Sequence, residues 1–177
     1  MLNKRYTLLF LGDSLTEFFD WESRFPEHLV FNSGVAGETV QGLIRRLGRI
    51  LSSSVDPDLV FLMTGANNLA MEDFAITGQF REVVASLRSG FPRATIVVQS
   101  IVPMTLSWID NRAIDKLNLS LKQVAEEAGA VYLDLYRLFV DAQGSPIEGY
   151  LLDDGVHISD EGYAVWADEV ERFLRAT

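Results

Sequence analysis

The 177-residue sequence contains no cysteine, which rules out disulfide cross-links and thiolate zinc sites and fits a reducing compartment. Histidine is nearly as scarce. His28 and His157 are the only two, too few for a histidine-rich metal centre. Positive charge is short as well: 15 Lys and Arg stand against 25 Asp and Glu, a net charge of −10 at pH 7. An acidic surface repels polyanions, so neither nucleic acid nor an anionic membrane is expected as a standing partner. No apolar run approaches the roughly 20 residues that cross a bilayer, so stable membrane insertion is not expected either. The opening stretch YTLLFLGDSLTEFF, Tyr6 to Phe19, follows Lys4 and Arg5 in the manner of a secretion signal. However, Leu8, Leu9, Phe10 and Leu11 run straight into Gly12-Asp13-Ser14, with no small-residue A-x-A cleavage pattern behind them. The stretch therefore reads as a buried strand, and the protein is expected to be cytoplasmic. No interdomain linker, repeat or low-complexity segment interrupts the chain. Residues 1–177 read as a single domain, large enough to bury a core without staples.

What is present is an alternation of two patterns. Tyr6–Leu11, Leu59–Met63, Thr95–Ile101 and Ala130–Leu135 are rich in Val, Ile, Leu and Phe, with little polar alternation. Such runs suit parallel strands covered on both faces, and Leu29–Asn32 is a shorter fifth candidate. Between them lie stripes at helical spacing. They are Val40, Leu43, Ile44, Leu47 and Leu51; Phe80, Val83, Val84 and Leu87; Ile114, Leu117, Leu121, Val124 and Ala128; and Tyr163, Trp166, Val170, Phe173 and Leu174. This alternation predicts an α/β, three-layer αβα sandwich with about five parallel strands. Its loops after the strands share one edge, where ligands of open α/β sheets bind.

Four polar clusters fall at the predicted strand ends or before a helix. They are Gly12-Asp13-Ser14, Asn32–Thr39 (NSGVAGET), Thr64–Asn68 (TGANN) and Asp153–His157 (DDGVH). A serine hydroxyl is a weak nucleophile that needs a base within hydrogen-bond reach, and of the two histidines His157 is placed to serve. Asp154, three positions earlier, could take the other ring N–H and complete a Ser–His–Asp arrangement; the D-x-x-H register favours it over Asp153. Ester attack creates an oxyanion, for which the N–H of Ser14, the N–H of Gly37 and the side-chain amide of Asn67 are candidate donors. Met104 and Leu106, after the fourth strand, and Val156, beside His157, are candidates for the wall of an acyl pocket.

Taken together and in order, Gly12-Asp13-Ser14-Leu15, Gly37, Gly65-Ala66-Asn67 and Asp154-Gly155-Val156-His157 resemble the SGNH hydrolases, or GDSL esterase/lipase family. The resemblance covers almost the whole chain. It implies a flavodoxin-like sandwich, Ser14 as nucleophile, Asp154 and His157 as acid and base, and Gly37 and Asn67 as oxyanion donors. It also implies hydrolysis of small esters or thioesters with no metal or cofactor. The third block departs from the usual G-x-N-D, because Asn68 replaces the aspartate. In this it is similar to the branch that cleaves platelet-activating factor, and the change reads as altered loop support.

Other readings compete. A flavodoxin-like phosphate- or nucleotide-binding module would use the same edge, but neither G-x-x-x-x-G-K-[ST] nor G-x-G-x-x-G occurs. An aspartate-nucleophile phosphatase built on Asp13 would want a second acid where Leu15 stands. Asp13 more simply organises the turn. His28, near Pro26, is expected at the solvated surface, and Trp21, Trp108 and Trp166 are expected in core or loop packing. Asn118-Leu119-Ser120 matches a glycosylation sequon, without meaning if no signal peptide is present.

Overall fold

The apolar runs become the five strands of one sheet in the computed structural model, which describes residues 4–177. They are β1 (Thr7–Gly12), β2 (Leu29–Gly34), β3 (Leu59–Met63), β4 (Thr95–Gln99) and β5 (Val131–Leu133), all parallel, in the order β2-β1-β3-β4-β5. Every residue of β3 is buried, as a strand covered on both faces requires, whereas the edge strand β2 is mostly part-exposed. This is the flavodoxin-like order, whose reversal point lies between β1 and β3.

Among the described residues seven α-helices connect and cover the sheet: α1 (Ser14–Glu17), α2 (Trp21–Arg24), α3 (Val40–Leu51), α4 (Ala66–Ala70), α5 (Thr77–Gly90), α6 (Asn111–Glu127) and α7 (Asp160–Ala176). Several helix starts are set by side-chain acceptors. Thr39 caps α3 through the Gly42 N–H, Asp110 caps α6 through Arg112, and Ser159 caps α7 through Gly162. Helices α3, α5 and α6 pack side by side and bury the predicted stripes from Val40, Phe80 and Ile114 onward. The other layer is aromatic. Phe10 of β1 stacks on Trp21 of α2 at 4.1 Å and lies 5.0 Å from Phe61 of β3, while Trp166 of α7 meets Trp21 edge-on at 5.0 Å. The polar edges of these indoles are satisfied, Trp166 Nε1 by Gln99 Oε1 at 2.7 Å and Trp21 Nε1 by Thr16 O at 2.9 Å.

One expectation about a single residue changes, and two further residues find their settings. The His28 side chain is only 7% exposed, held between the rings of Tyr6 and Phe25, so it is not a solvated surface residue. Asn118 is buried, its carboxamide bonded to both the N–H and the C=O of Ile101, so the acceptor of the sequon is sealed inside. Trp108 is exposed on a loop, tethered by Nε1 to Ala70 O at 3.2 Å. No helix among the described residues is long and apolar enough to cross a membrane.

Candidate active site

Strand β1 ends in Gly12, and the chain turns at once into α1, with Asp13 as its N-cap and Ser14 as its first residue. Asp13 Oδ1 accepts the Leu15 N–H at 3.1 Å, which fixes the turn that carries Ser14. Asp13 is sealed at 1% exposure, and its Oδ2 has no partner among the described residues. Burial pushes its carboxyl up to about 7, against the pull of the Leu15 N–H. It is a turn organiser that resists ionising.

The loop before α7 brings His157 to this turn from 143 positions away, with Ser14 Oγ 3.0 Å from His157 Nε2. The loop is stiff: Leu151 bridges Ile158, the Leu152 N–H donates to His157 O at 2.7 Å, and Asp154 Oδ1 accepts the N–H groups of Val156 and His157 at 2.9 Å each. The other Asp154 oxygen lies 2.7 Å from His157 Nδ1. Burial pushes the Asp154 carboxyl up, but the His157 and Val156 backbone donors and the His157 ring outweigh it and hold it below its ordinary value. The carboxylate therefore stays charged beside the imidazole. Asp153, the alternative, is exposed and makes no such contact.

Two further loops border the serine. Gly37, after β2, sits at φ +74, a left-handed conformation that favours glycine, and its N–H finds no partner among the described residues. Asn67, in α4, is half-buried and donates one amide N–H to Glu38 O at 2.9 Å, which leaves its second hydrogen unspent. Beside it, Asn68 is fully committed. Its Oδ1 accepts the Val40 N–H, and its Nδ2 donates to Gln41 Oε1 and Asp73 Oδ2, all at 2.9 Å.

The three acyl-pocket candidates part company. Val156 and Leu106 are half-buried, whereas Met104 is 1% exposed in the core, because Asn111 clamps both its N–H and its C=O and turns the side chain inward. Met104 therefore offers no side-chain surface to a substrate. Three neighbours escaped the sequence reading. Phe18 is 59% exposed and stacks on the His157 ring at 5.4 Å, and Glu38 pairs with Arg46 under the Gly37 turn. The only sequence signal for them is position: an aromatic four residues after Ser14, and a glycine, Gly42, inside α3 four residues after Glu38. Among the described residues no three or more of His, Asp and Glu converge as a cation cage would need.

Comparison with known proteins gives a consistent picture. A sequence model of the GDSL-like lipase/acylhydrolase family matches residues 10–165. Platelet-activating factor acetylhydrolase IB subunit alpha2 of Rattus norvegicus is 24% identical over 171 residues, covering 92% of this chain and 73% of the relative. A solved Streptococcus pneumonia structure is similar with a TM-score of 0.86 at 20% identity, over 98% of this chain and 86% of that one. An acetylxylan esterase from Geobacillus stearothermophilus has a TM-score of 0.77 at 22% identity, over 98% of this chain and 96% of its own.

Proposed function

Because the chain belongs to the GDSL-like lipase/acylhydrolase family and is a carboxylic ester hydrolase, we propose that it cleaves small esters through an acyl-enzyme on Ser14. The observation that carries this reading is the unbroken hydrogen-bonded line from Ser14 Oγ through both ring nitrogens of His157 to Asp154, at 3.0 and 2.7 Å.

Ser14 Oγ attacks the ester carbonyl carbon while His157 Nε2 takes the hydroxyl proton. Asp154 orients the ring and stabilises the imidazolium that results. The carbonyl oxygen, now negative, is met by the Ser14 N–H, the Gly37 N–H and the free amide hydrogen of Asn67, fixed donors that need no reorganisation as charge develops. Collapse expels the leaving alcohol, which takes the proton from His157. A water, deprotonated by the same ring, then releases the carboxylic acid and returns Ser14.

The acyl group in this reading is short. An acetyl group appears in the names of both the rat relative and the Geobacillus esterase, and the Met104 side chain, buried in the core, adds no wall for a longer chain.

Replacing Ser14 by Ala tests the scheme on 4-nitrophenyl acetate. Turnover is expected to vanish with the thermal melt unchanged, and an organophosphonate is expected to label the parent but not the variant. Turnover at the parental rate would remove the mechanism.

A further inference from the structure

One side chain links the loops that carry the proposed oxyanion donors without touching the reacting atoms. Arg46 lies two turns into α3, and its guanidinium points back toward the strand ends. Nε donates to Glu38 Oε1 at 2.7 Å and Oε2 at 2.9 Å; Nη2 donates to Glu38 Oε2 at 2.7 Å, to Ser33 O at 2.8 Å and, at 3.4 Å, to Gly12 O. A single cation thus ties together the end of β1, two residues before Ser14, the end of β2, and the residue after Gly37. Glu38 then passes the constraint on, since its carbonyl receives the Asn67 amide.

Stability alone explains this arrangement poorly. The side chains of Arg46 and Glu38 are 12% and 7% exposed. Burying such a pair costs several kcal/mol per ion, and an apolar pair of the same volume often does as well or better. The local sequence adds a second cost. Gly42 sits in the first turn of α3, where glycine is worse than alanine by up to about 1 kcal/mol. A Cβ there would come 2.7 Å from Glu38 Cγ. The helix gives up propensity so that the Glu38 stem can fold across it toward Arg46. Two unfavourable choices converge on one geometry.

We propose that the Glu38–Arg46 pair is the positioning element of the oxyanion hole, an inference that rests on the esterase mechanism above. It holds the Gly37 turn and the Asn67 amide in register with the Ser14 turn, so that three donors from three loops point at one oxygen. Donors of this kind must be held within about 0.5 Å of their working geometry. Their effect arises in the transition state, so loosening them lowers kcat and leaves KM nearly alone.

The test is a double-mutant cycle on 4-nitrophenyl acetate, with a thermal melt for each protein. Lysine keeps the charge but lacks the planar fork, so R46K is expected to lower kcat about tenfold or more, with KM within about twofold. N67A is expected to cost about 10²–10³ in kcat. R46K/N67A is then expected to lose clearly less than the product of the two single losses, because one of the two donors that the pair aligns is already gone. Gly42→Ala, which displaces Glu38 while keeping every charge, is expected to move kcat in the same direction, and it completes the same cycle should R46K fail to fold. Losses that multiply, or parental kcat in both R46K and G42A, would overturn the positioning role. If Ser14→Ala and N67A lose activity while those two do not, the positioning role alone falls. If Ser14→Ala and N67A also retain activity, the mechanism beneath it falls too.

Discussion

Restoring the aspartate that the family usually carries at position 68 is expected to harm this protein, and the damage should be electrical. Asn68 Nδ2 donates to Asp73 Oδ2 at 2.9 Å, so Asn68→Asp brings a second carboxylate against the first. Two unit charges about 4 Å apart repel by about 4 kcal/mol at an effective dielectric of 20. Asp73 is only partly buried, so solvent screening reduces this to about 2 kcal/mol, and the lost hydrogen bond adds about 1. A total near 3 kcal/mol corresponds to a fall in Tm of roughly 6–12 °C for a chain of this length. The pH dependence carries the diagnosis. In the parent, the Asn68 donor holds the Asp73 carboxyl below its ordinary value, so the contact stabilises the fold above the carboxylate range and fades in acid. In Asn68→Asp both carboxyls are raised in the folded state, so the penalty is absent in acid and grows as pH rises through their raised values. Melts from about pH 4 to 8 on the parent, N68D, D73N and N68D/D73N read it directly. D73N should rescue N68D. A variant that melts within about 1 °C of the parent at neutral pH, or a double mutant whose losses simply add, would refute the reasoning.

Two further outcomes follow from the carboxyls around Ser14. Because burial pushes Asp13 up to about 7, the folded chain keeps a proton that the unfolded chain has released above about pH 4. Stability therefore falls between those limits as pH rises, by at most about 4 kcal/mol. Asp13→Asn should flatten that decline in urea midpoints, and parallel curves for the two proteins would contradict it. Asp154→Asn keeps the acceptor for the Val156 and His157 N–H groups but removes the charge, so kcat should fall about 10³–10⁴ with the melt little changed. A loss below about tenfold would show that the ring is oriented by other means.

Much of this architecture was legible because its signals are local. β1, β3 and β4 announce themselves as unbroken apolar runs, and α3, α5, α6 and α7 as stripes whose buried positions match the 3.6-residue period. α1, α2 and α4 have four or five residues each, too short for any period to show. Ser14, Asp154 and His157 could be named together because residue type and order point to them, and the structure brings them within hydrogen-bond reach. What escaped is tertiary. His28 is buried by rings from Tyr6 and Phe25, which no local pattern reveals, and Met104 is turned inward by Asn111, seven residues away. Arg46 belongs to the same class: its partners lie 8, 13 and 34 positions away, and only folding makes them neighbours.

The 143-residue gap between Ser14 and His157 also has a meaning in time. At ordinary translation speeds the serine leaves the ribosome on the order of 10 s before its imidazole exists. Through that interval the nascent chain carries a hydroxyl with nothing to draw off its proton. In the proposed mechanism hydrolysis waits for both groups, so a polypeptide cut short between them is expected to leave the esters around it intact.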